Sequence, residues 1–180
     1  ETAIDFLENL NCPAYKIASP EINHIPLIYK AAKTGKPIIL STGLADFKDI
    51  SLAIKTIRAT GNNKIVLLKC TTEYPAPLES INLKTISEYG KKFDVIPGFS
   101  DHTIGNDIAL ASIAFGAKVI EKHIYLRGCK STIDKFFSIN ENEFKKLILS
   151  IRSVEKAIGK VDFAISKFAK HNLKGRRSIY

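Results

Sequence analysis

Gly98-Phe99-Ser100-Asp101-His102 and Val119-Ile120-Glu121-Lys122-His123 each end a short, largely apolar run in a histidine. Between them, Ile104, Ile108, Ala111, Ala114 and Phe115 recur at helical spacing. The pattern predicts strand, helix, strand. A right-handed crossover returns the second strand parallel to the first. Both C-terminal ends then open on one side of the sheet, the side on which α/β proteins bind ligands. His102 and His123 at equivalent strand ends are candidates to share one divalent ion, because histidine is the commonest metal ligand. The plain alternative is two strand-end histidines with backbone partners.

The same alternation extends outward. Residues 14–19, 37–42 and 65–70 read as further strands, and residues 1–10 as a leading helix. Pro26 suits the first turn of the next helix, and Gly35 its left-handed end. Asp46 is placed to cap a helix, and Asn140 with Glu143 has the spacing of a capping box. Near-continuous apolar strands imply a parallel sheet covered on both faces. Such α/β units fit part of an eightfold barrel or an open doubly wound sheet. No strand is followed by a glycine-rich G-x-G-x-x-G turn, and polar residues end every strand. Both features favour part of a (β/α)8 barrel over the open sheet.

Composition bounds the function. The 180 residues are 45% apolar and 25% charged, the balance of one globular core. No apolar run approaches the ~20 residues of a membrane span, and no signal-peptide pattern opens the chain. Cys12, Cys70 and Cys129 lie far apart without C-x-x-C spacing, which argues for reduced thiols and a cytoplasmic setting. The net charge of +9 raises nucleic-acid binding as a possibility. Its lysines are scattered, however, with the densest group at Lys160–Arg177 and no aromatic-interleaved basic motif. A surface attracting anionic small molecules is the better reading.

Lys16, Lys69 and Lys122 stand at or near strand ends, where a buried ammonium needs an anionic ligand or an internal carboxylate. Ser19, Ser41, Thr42, Thr71, Thr72 and Ser100 add hydroxyls to the same rim. Glu21 and Glu121 are carboxylates able to bind a hydroxylated substrate or assist proton transfer. Asp134 sits in the loop beyond the last strand, which is long enough to fold over the mouth. Cys70 has a weak claim as a nucleophile.

Five motifs resemble, in order and in spacing, the sialic acid synthases. They are Lys16-Ile17-Ala18-Ser19 with Glu21, Ile39-Leu40-Ser41-Thr42-Gly43, Cys70-Thr71-x-x-Tyr74-Pro75-x-Pro77, Ser100-Asp101-His102-Thr103 and Ile120-Glu121-Lys122-His123. The resemblance implies a (β/α)8 TIM barrel followed by a small antifreeze-like domain, with this chain as the C-terminal part of the barrel, about strands 4–8, over residues 1–160 and 161–180 as a linker. It implies condensation of phosphoenolpyruvate with an N-acetylated aldose to a nine-carbon ulosonic acid, releasing phosphate. His102 and His123 match the ligands of a divalent metal, Mn2+ or Mg2+, that polarises the sugar aldehyde. Lys16, Ser19 and Ser100 match phosphoenolpyruvate positions. Glu21, Tyr74, Glu121 and Asp134 match positions near the sugar, with Thr72 a further substrate contact. Lys16 and Glu121 are the expected catalytic residues.

Two departures, Lys69 and the loop Ile133-Asp134-Lys135-Phe136-Phe137-Ser138, are similar to the pseudaminic acid synthase branch. Its sugar is a diacetamido-trideoxy hexose in place of N-acetylmannosamine. Phe136 and Phe137 would then wall an acetamido methyl or a deoxy carbon. The match lacks the first three barrel strands and the antifreeze-like domain, which reaches a partner's site in the family's homodimer. A fragment with roughly half an active site, inactive alone and with two open sheet edges, is therefore expected. Another phosphoenolpyruvate-dependent aldolase and a catalytically inert barrel fragment are the alternatives.

Overall fold

The computed structural model describes residues 2–129 and 132–176. Lys130 and Ser131 of the long loop, and positions 177–180 of the expected linker, lie outside the described residues. Helix α1 (Thr2–Asn9) leads into five repeats of strand then helix: β1 (Tyr15–Ile17) and α2 (Ile25–Lys33), β2 (Ile38–Ser41) and α3 (Phe47–Ala59), β3 (Ile65–Cys70) and α4 (Lys84–Phe93), β4 (Ile96–Asp101) and α5 (Asp107–Ala114), then β5 (Val119–Lys122). A two-residue pair, β6 (Ile124–Tyr125) with β7 (Ile139–Asn140), precedes the last helix, α6 (Glu141–Ile158).

All neighbours in the main sheet are parallel, and their spatial order β1-β2-β3-β4-β5 is the chain order. A doubly wound sheet reverses its strand order at a switch point. Here there is no reversal, so the open doubly wound alternative is excluded and the sheet forms a curled half-barrel.

Strand alternation divides the side chains between two faces. Tyr15 and Ile17, Ile38 and Leu40, and Ile65 and Leu67 point outward, packing on Ile28, Ala31 and Ala32 of α2 and Ile50, Ala53, Ile54 and Ile57 of α3. Farther along, Phe99 packs with Ile86 and Ala117. The residues between these, Lys16, Ser41, Cys70, Ser100 and Glu121, belong to the inner face. Register places Cys70 beside Ser100 and Ser100 beside Glu121. At about 25 cal/mol per Å² of buried apolar area, the isoleucine-rich outer layer is the main force holding helices to sheet.

The helix after β4 begins at Asp107, later than the apolar pattern from Thr103 suggests. Thr103 is drawn out of a helix by Asp101, whose Oδ1 accepts from both its backbone nitrogen (2.9 Å) and its hydroxyl (2.7 Å). Gly105 then takes φ +79°, which an alanine would resist. The β6–β7 pair was not legible in the sequence, since two-residue ladders carry no period.

Residues 159–176 are exposed throughout. Helix α6 starts in the anticipated capping box: Asn140 Oδ1 accepts from the Asn142 and Glu143 nitrogens, and Glu143 returns a carboxylate to the Asn140 nitrogen at 2.8 Å. Asn140→Ala is expected to lower unfolding free energy by about 1 kcal/mol, read as a shift in urea midpoint at constant m-value.

Candidate active site

At the C-terminal ends of the strands lies a cleft of about 150 Å³ lined by Lys16, Ser19, Ser41, Cys70, Tyr74, Ser100, His102, Glu121 and His123. They come from the ends of all five strands or the turns just after them. Parallel strands carried in chain order bring these ends together.

The two histidines stand with ring centroids 5.3 Å apart. His102 is buried, and its Nδ1 lies 2.8 Å from the Thr71 carbonyl oxygen. A carbonyl only accepts, so Nδ1 carries the proton and Nε2 keeps its lone pair free. His123 Nδ1 lies 3.3 Å from Asp134 Oδ2, which leaves its Nε2 free in the same way. This is the arrangement by which outer partners orient metal-ligating imidazoles. Two imidazoles sharing an ion through bonds of roughly 2.1 Å keep their centroids within about 6.5 Å, so the observed separation fits a shared divalent cation. Among the described residues no group of three or more His, Cys, Asp and Glu side chains converges as a metal cage. Among the described residues, the histidine pair is what this chain could offer such an ion.

Burial pushes the His102 imidazole down, but the Cys70 thiol, the Thr71 carbonyl and the Asp101 carboxylate more than offset it, and its pKa lies above the ordinary value. Burial and the adjacent His102 hold His123 below the ordinary value, against the pull of Asp134 and Glu121. Cys70 Sγ sits 3.9 Å from His102 Nδ1. Burial pushes that thiol up, while His102, Ser19 and Ser100 bring it below its usual range. The Nδ1 proton is committed to Thr71, so His102 is no base for Cys70, and a Cys-His nucleophile is not assembled here.

Glu121 is held from two sides. Ser100 Oγ donates to its Oε1 at 2.7 Å, and Lys16 Nζ stands 3.5 Å from the same oxygen. Ser19 Oγ accepts from the Gly43 nitrogen at 2.9 Å. Gly43 has no room for a side chain, because a Cβ there would lie 2.1 Å from Thr72 Oγ1 and 3.0 Å from Ser19 Oγ. Among the described residues, the buried hydroxyls of Ser41 and Thr72 have no hydrogen-bond partner. Leaving such a group unpaired costs on the order of 1–3 kcal/mol, a cost that an oxygen-rich ligand would remove.

An aromatic collar closes one side. The Tyr74 ring lies 4.4 Å from His102 and 5.4 Å from Phe137, and Phe137 lies 4.9 Å from His123. The collar is set by backbone bonds: the Ala76 nitrogen donates to the His102 carbonyl, and the Ile139 nitrogen to the His123 carbonyl, both at 3.0 Å. Phe137 is buried, whereas Phe136 is 62% exposed, so the two do not form one wall.

Other expected residues lie elsewhere. Glu21 lines a separate recess along β1, with Ile4, Leu7 and Tyr15. Lys69 and Lys122, expected to gather at an anionic ligand, both have outward parity and face the helix layer. Lys122 Nζ donates to Asp101 Oδ2 at 2.7 Å and to the Thr103 carbonyl at 2.8 Å, with both charged side chains essentially inaccessible. Its counter-charge is internal. Of the three strand-end lysines only Lys16 lines the cleft. Sequence reading missed the Thr71 carbonyl, a backbone group without a signature; of the expected pair Phe136 and Phe137, only Phe137 packs against the histidines among the described ring contacts. Lys122→Met leaves a buried carboxylate unpaired and is expected to cost about 3–5 kcal/mol in urea unfolding. The double variant Asp101→Asn/Lys122→Met should lose less than the sum of the two single changes.

Comparison with known proteins places the chain. The NeuB family profile matches residues 1–163. The pseudaminic acid synthase of Helicobacter pylori is 44% identical over 157 residues, 87% of this chain and 46% of that protein. The N,N'-diacetyllegionaminic acid synthase of Campylobacter jejuni is 42% identical over 159 residues, 87% of this chain and 48% of that protein. The crystal structure of N-acetylneuraminic acid synthetase from Leptospira borgpetersenii superposes with a TM-score of 0.87 at 29% identity, covering 96% of this chain and 60% of the other. The chain thus spans about half the length of the curated relatives it matches. With the family profile, the parallel half-barrel and the strand-end histidine pair in agreement, the chain belongs to the NeuB family.

Proposed function

We propose that this chain supplies the C-terminal half, strands four to eight, of a (β/α)8 barrel synthase that condenses phosphoenolpyruvate with an N-acetylated aldose to a nonulosonic acid. The observation that carries this reading is the convergence of His102, His123, Lys16, Glu121 and the unpartnered Ser41 hydroxyl in one strand-end cleft. Lys16, with the Ser19 and Ser41 hydroxyls, binds the carboxylate or phosphate of phosphoenolpyruvate as a fixed cation with donors beside it. Ser100 and Lys16 orient the Glu121 carboxyl, so it can receive a sugar hydroxyl or relay a proton during addition. His102 and His123 hold Mn2+ or Mg2+, which when bound supplies Lewis-acid polarisation of the aldehyde. The aromatic collar lines that side of the cleft.

The long loop gives Asp134 two compatible tasks, orienting His123 and accepting from sugar hydroxyls, with Thr72 and Tyr74 beside the substrate. Glu21 enters the sugar site only if the first half of the barrel closes over β1. The diacetamido-trideoxy sugar of pseudaminic acid synthases remains the favoured aldose over N-acetylmannosamine. That choice now rests on the Ile133–Ser138 loop, because Lys69 faces away from the cleft. The remainder of the barrel covers the free edges of β1 and β5, and residues beyond 160 lead toward a cap domain in a cytoplasmic homodimer. No helix of the described residues is long and apolar enough to cross a membrane.

In the intact protein, His102→Ala and His123→Ala are each expected to weaken Mn2+ binding by at least about a hundredfold in calorimetric titration. Undiminished affinity in both would remove the metal assignment. Asp134→Asn should weaken Mn2+ about tenfold and raise KM for the sugar, while KM for phosphoenolpyruvate stays nearly constant. A variant impaired chiefly toward phosphoenolpyruvate would take Asp134 out of the sugar site.

A further inference from the structure

On the outer side of the sheet, between α3 and α4, lies a second and larger cavity of about 560 Å³. It is separated from the strand-end cleft by β3 itself. Cys70 points into one and Lys69 into the other. The volume falls in the range of small-molecule sites.

Lys69 occupies the outward position that Ile65 and Leu67 fill with apolar side chains farther down the strand. It is half-buried. Its Nζ donates to the Cys70 carbonyl at 2.8 Å and approaches Thr71 Oγ1 at 3.5 Å, both neutral groups. Among the described residues no carboxylate lies within salt-bridge distance of it. Burial pushes its pKa below the ordinary lysine value, the direction expected of an ammonium short of counter-charge. Two more lysines, Lys84 and Lys92, line the same cavity, and neither is ion-paired among the described residues. Glu88, the one acid of the lining, is engaged by Lys91 at 3.1 Å. Three ammonium groups thus face a cavity holding one carboxylate that already has a partner.

Part of the lining is aromatic. Phe47 and Phe93 stand 5.3 Å apart by centroid, with Phe93 6.4 Å from Tyr89. Phe47 is 62% exposed at the start of α3. Cations and rings lining one cavity match a ligand with an anionic head and an apolar or ring-shaped body. Tyr89 forms the floor, and its hydroxyl pairs with Thr42 Oγ1 at 2.9 Å. Thr42 Oγ1 donates its own proton to the Leu68 carbonyl at 3.0 Å. Tyr89 is therefore the donor to Thr42 and presents its oxygen lone pairs elsewhere.

We infer that the cavity between α3 and α4 is a binding site for a small organic anion, a phosphate or carboxylate carrying a ring or apolar body, with Lys69, Lys84 and Lys92 holding the charge and Phe47 and Phe93 the body. The site is distinct from the strand-end cleft, and the inference stands independently of the synthase reading.

Phenyl phosphate is the probe, titrated calorimetrically into the intact protein with inorganic phosphate as comparison. Phenyl phosphate should bind saturably and at least about tenfold more tightly than inorganic phosphate. Lys69→Gln should weaken it about tenfold or more. Lys84→Ala/Lys92→Ala, confined to exposed side chains that leave the core intact, should do the same. Lys16→Met, on the other face of the sheet, should leave the affinity unchanged. Thermal melting of each variant shows that it is folded. Absence of saturable binding overturns the inference, as does equal affinity for the two phosphates. Loss of binding in Lys16→Met with retention in the Lys84/Lys92 double variant assigns the anion to the strand-end cleft and equally overturns it.

Discussion

The pairing of Asp101 with Lys122 is the contact on which the arrangement of the strand ends depends. It joins β4 to β5 at register partners, at 2.7 Å, with both side chains shut off from solvent. Asp101 also accepts from the Thr103 nitrogen and hydroxyl, and Lys122 donates to the Thr103 carbonyl. Both charges of the cluster are thereby paired and further hydrogen-bonded, the condition under which a buried ion pair is tolerable. His102 is flanked by Asp101 and Thr103 in the chain, and His123 follows Lys122. Locking the flanking residues on the helix side leaves the two imidazoles facing the cleft. The charge pair does no chemistry of its own. It sets where the chemistry stands.

Strand alternation carries the same logic across the sheet. A strand end offers one side chain to the cleft and the next to the helix layer, so neighbouring residues have unrelated tasks. Glu121 belongs to the cleft and Lys122 to the core; Cys70 lines the cleft and Lys69 the outer cavity. A basic protein of this fold can therefore carry two anion-seeking regions back to back, divided by the thickness of one strand.

The cleft contrasts with the core beneath it. The core is saturated: isoleucine, leucine and alanine from strands and helices meet with negligible exposure. The cleft keeps buried polar atoms in reserve, with the Ser41 and Thr72 hydroxyls unpaired and two imidazole nitrogens facing no acceptor or donor among the described contacts. Packing stability spent on the outer layer supports a rim whose polar groups await a ligand.

The sequence by itself determined the alternation of strand and helix, the parallel sheet, the helix cap at Asp46 and the capping box at Asn140, and the identity of the two histidines. These are local or periodic properties, set by side-chain spacing and by hydrogen bonds between residues three apart. Strand order also followed once the chain order proved to be the spatial order. Only the tertiary structure decided which strand-end lysine reaches the cleft, since that turns on the register of β3, β4 and β5 and on where a counter-charge lies. It alone decided that the Thr71 carbonyl sets the His102 tautomer and that Phe137, not Phe136, closes the collar. Such contacts join residues distant in the chain through backbone atoms or rotamers, and neither leaves a pattern in the order of amino acids.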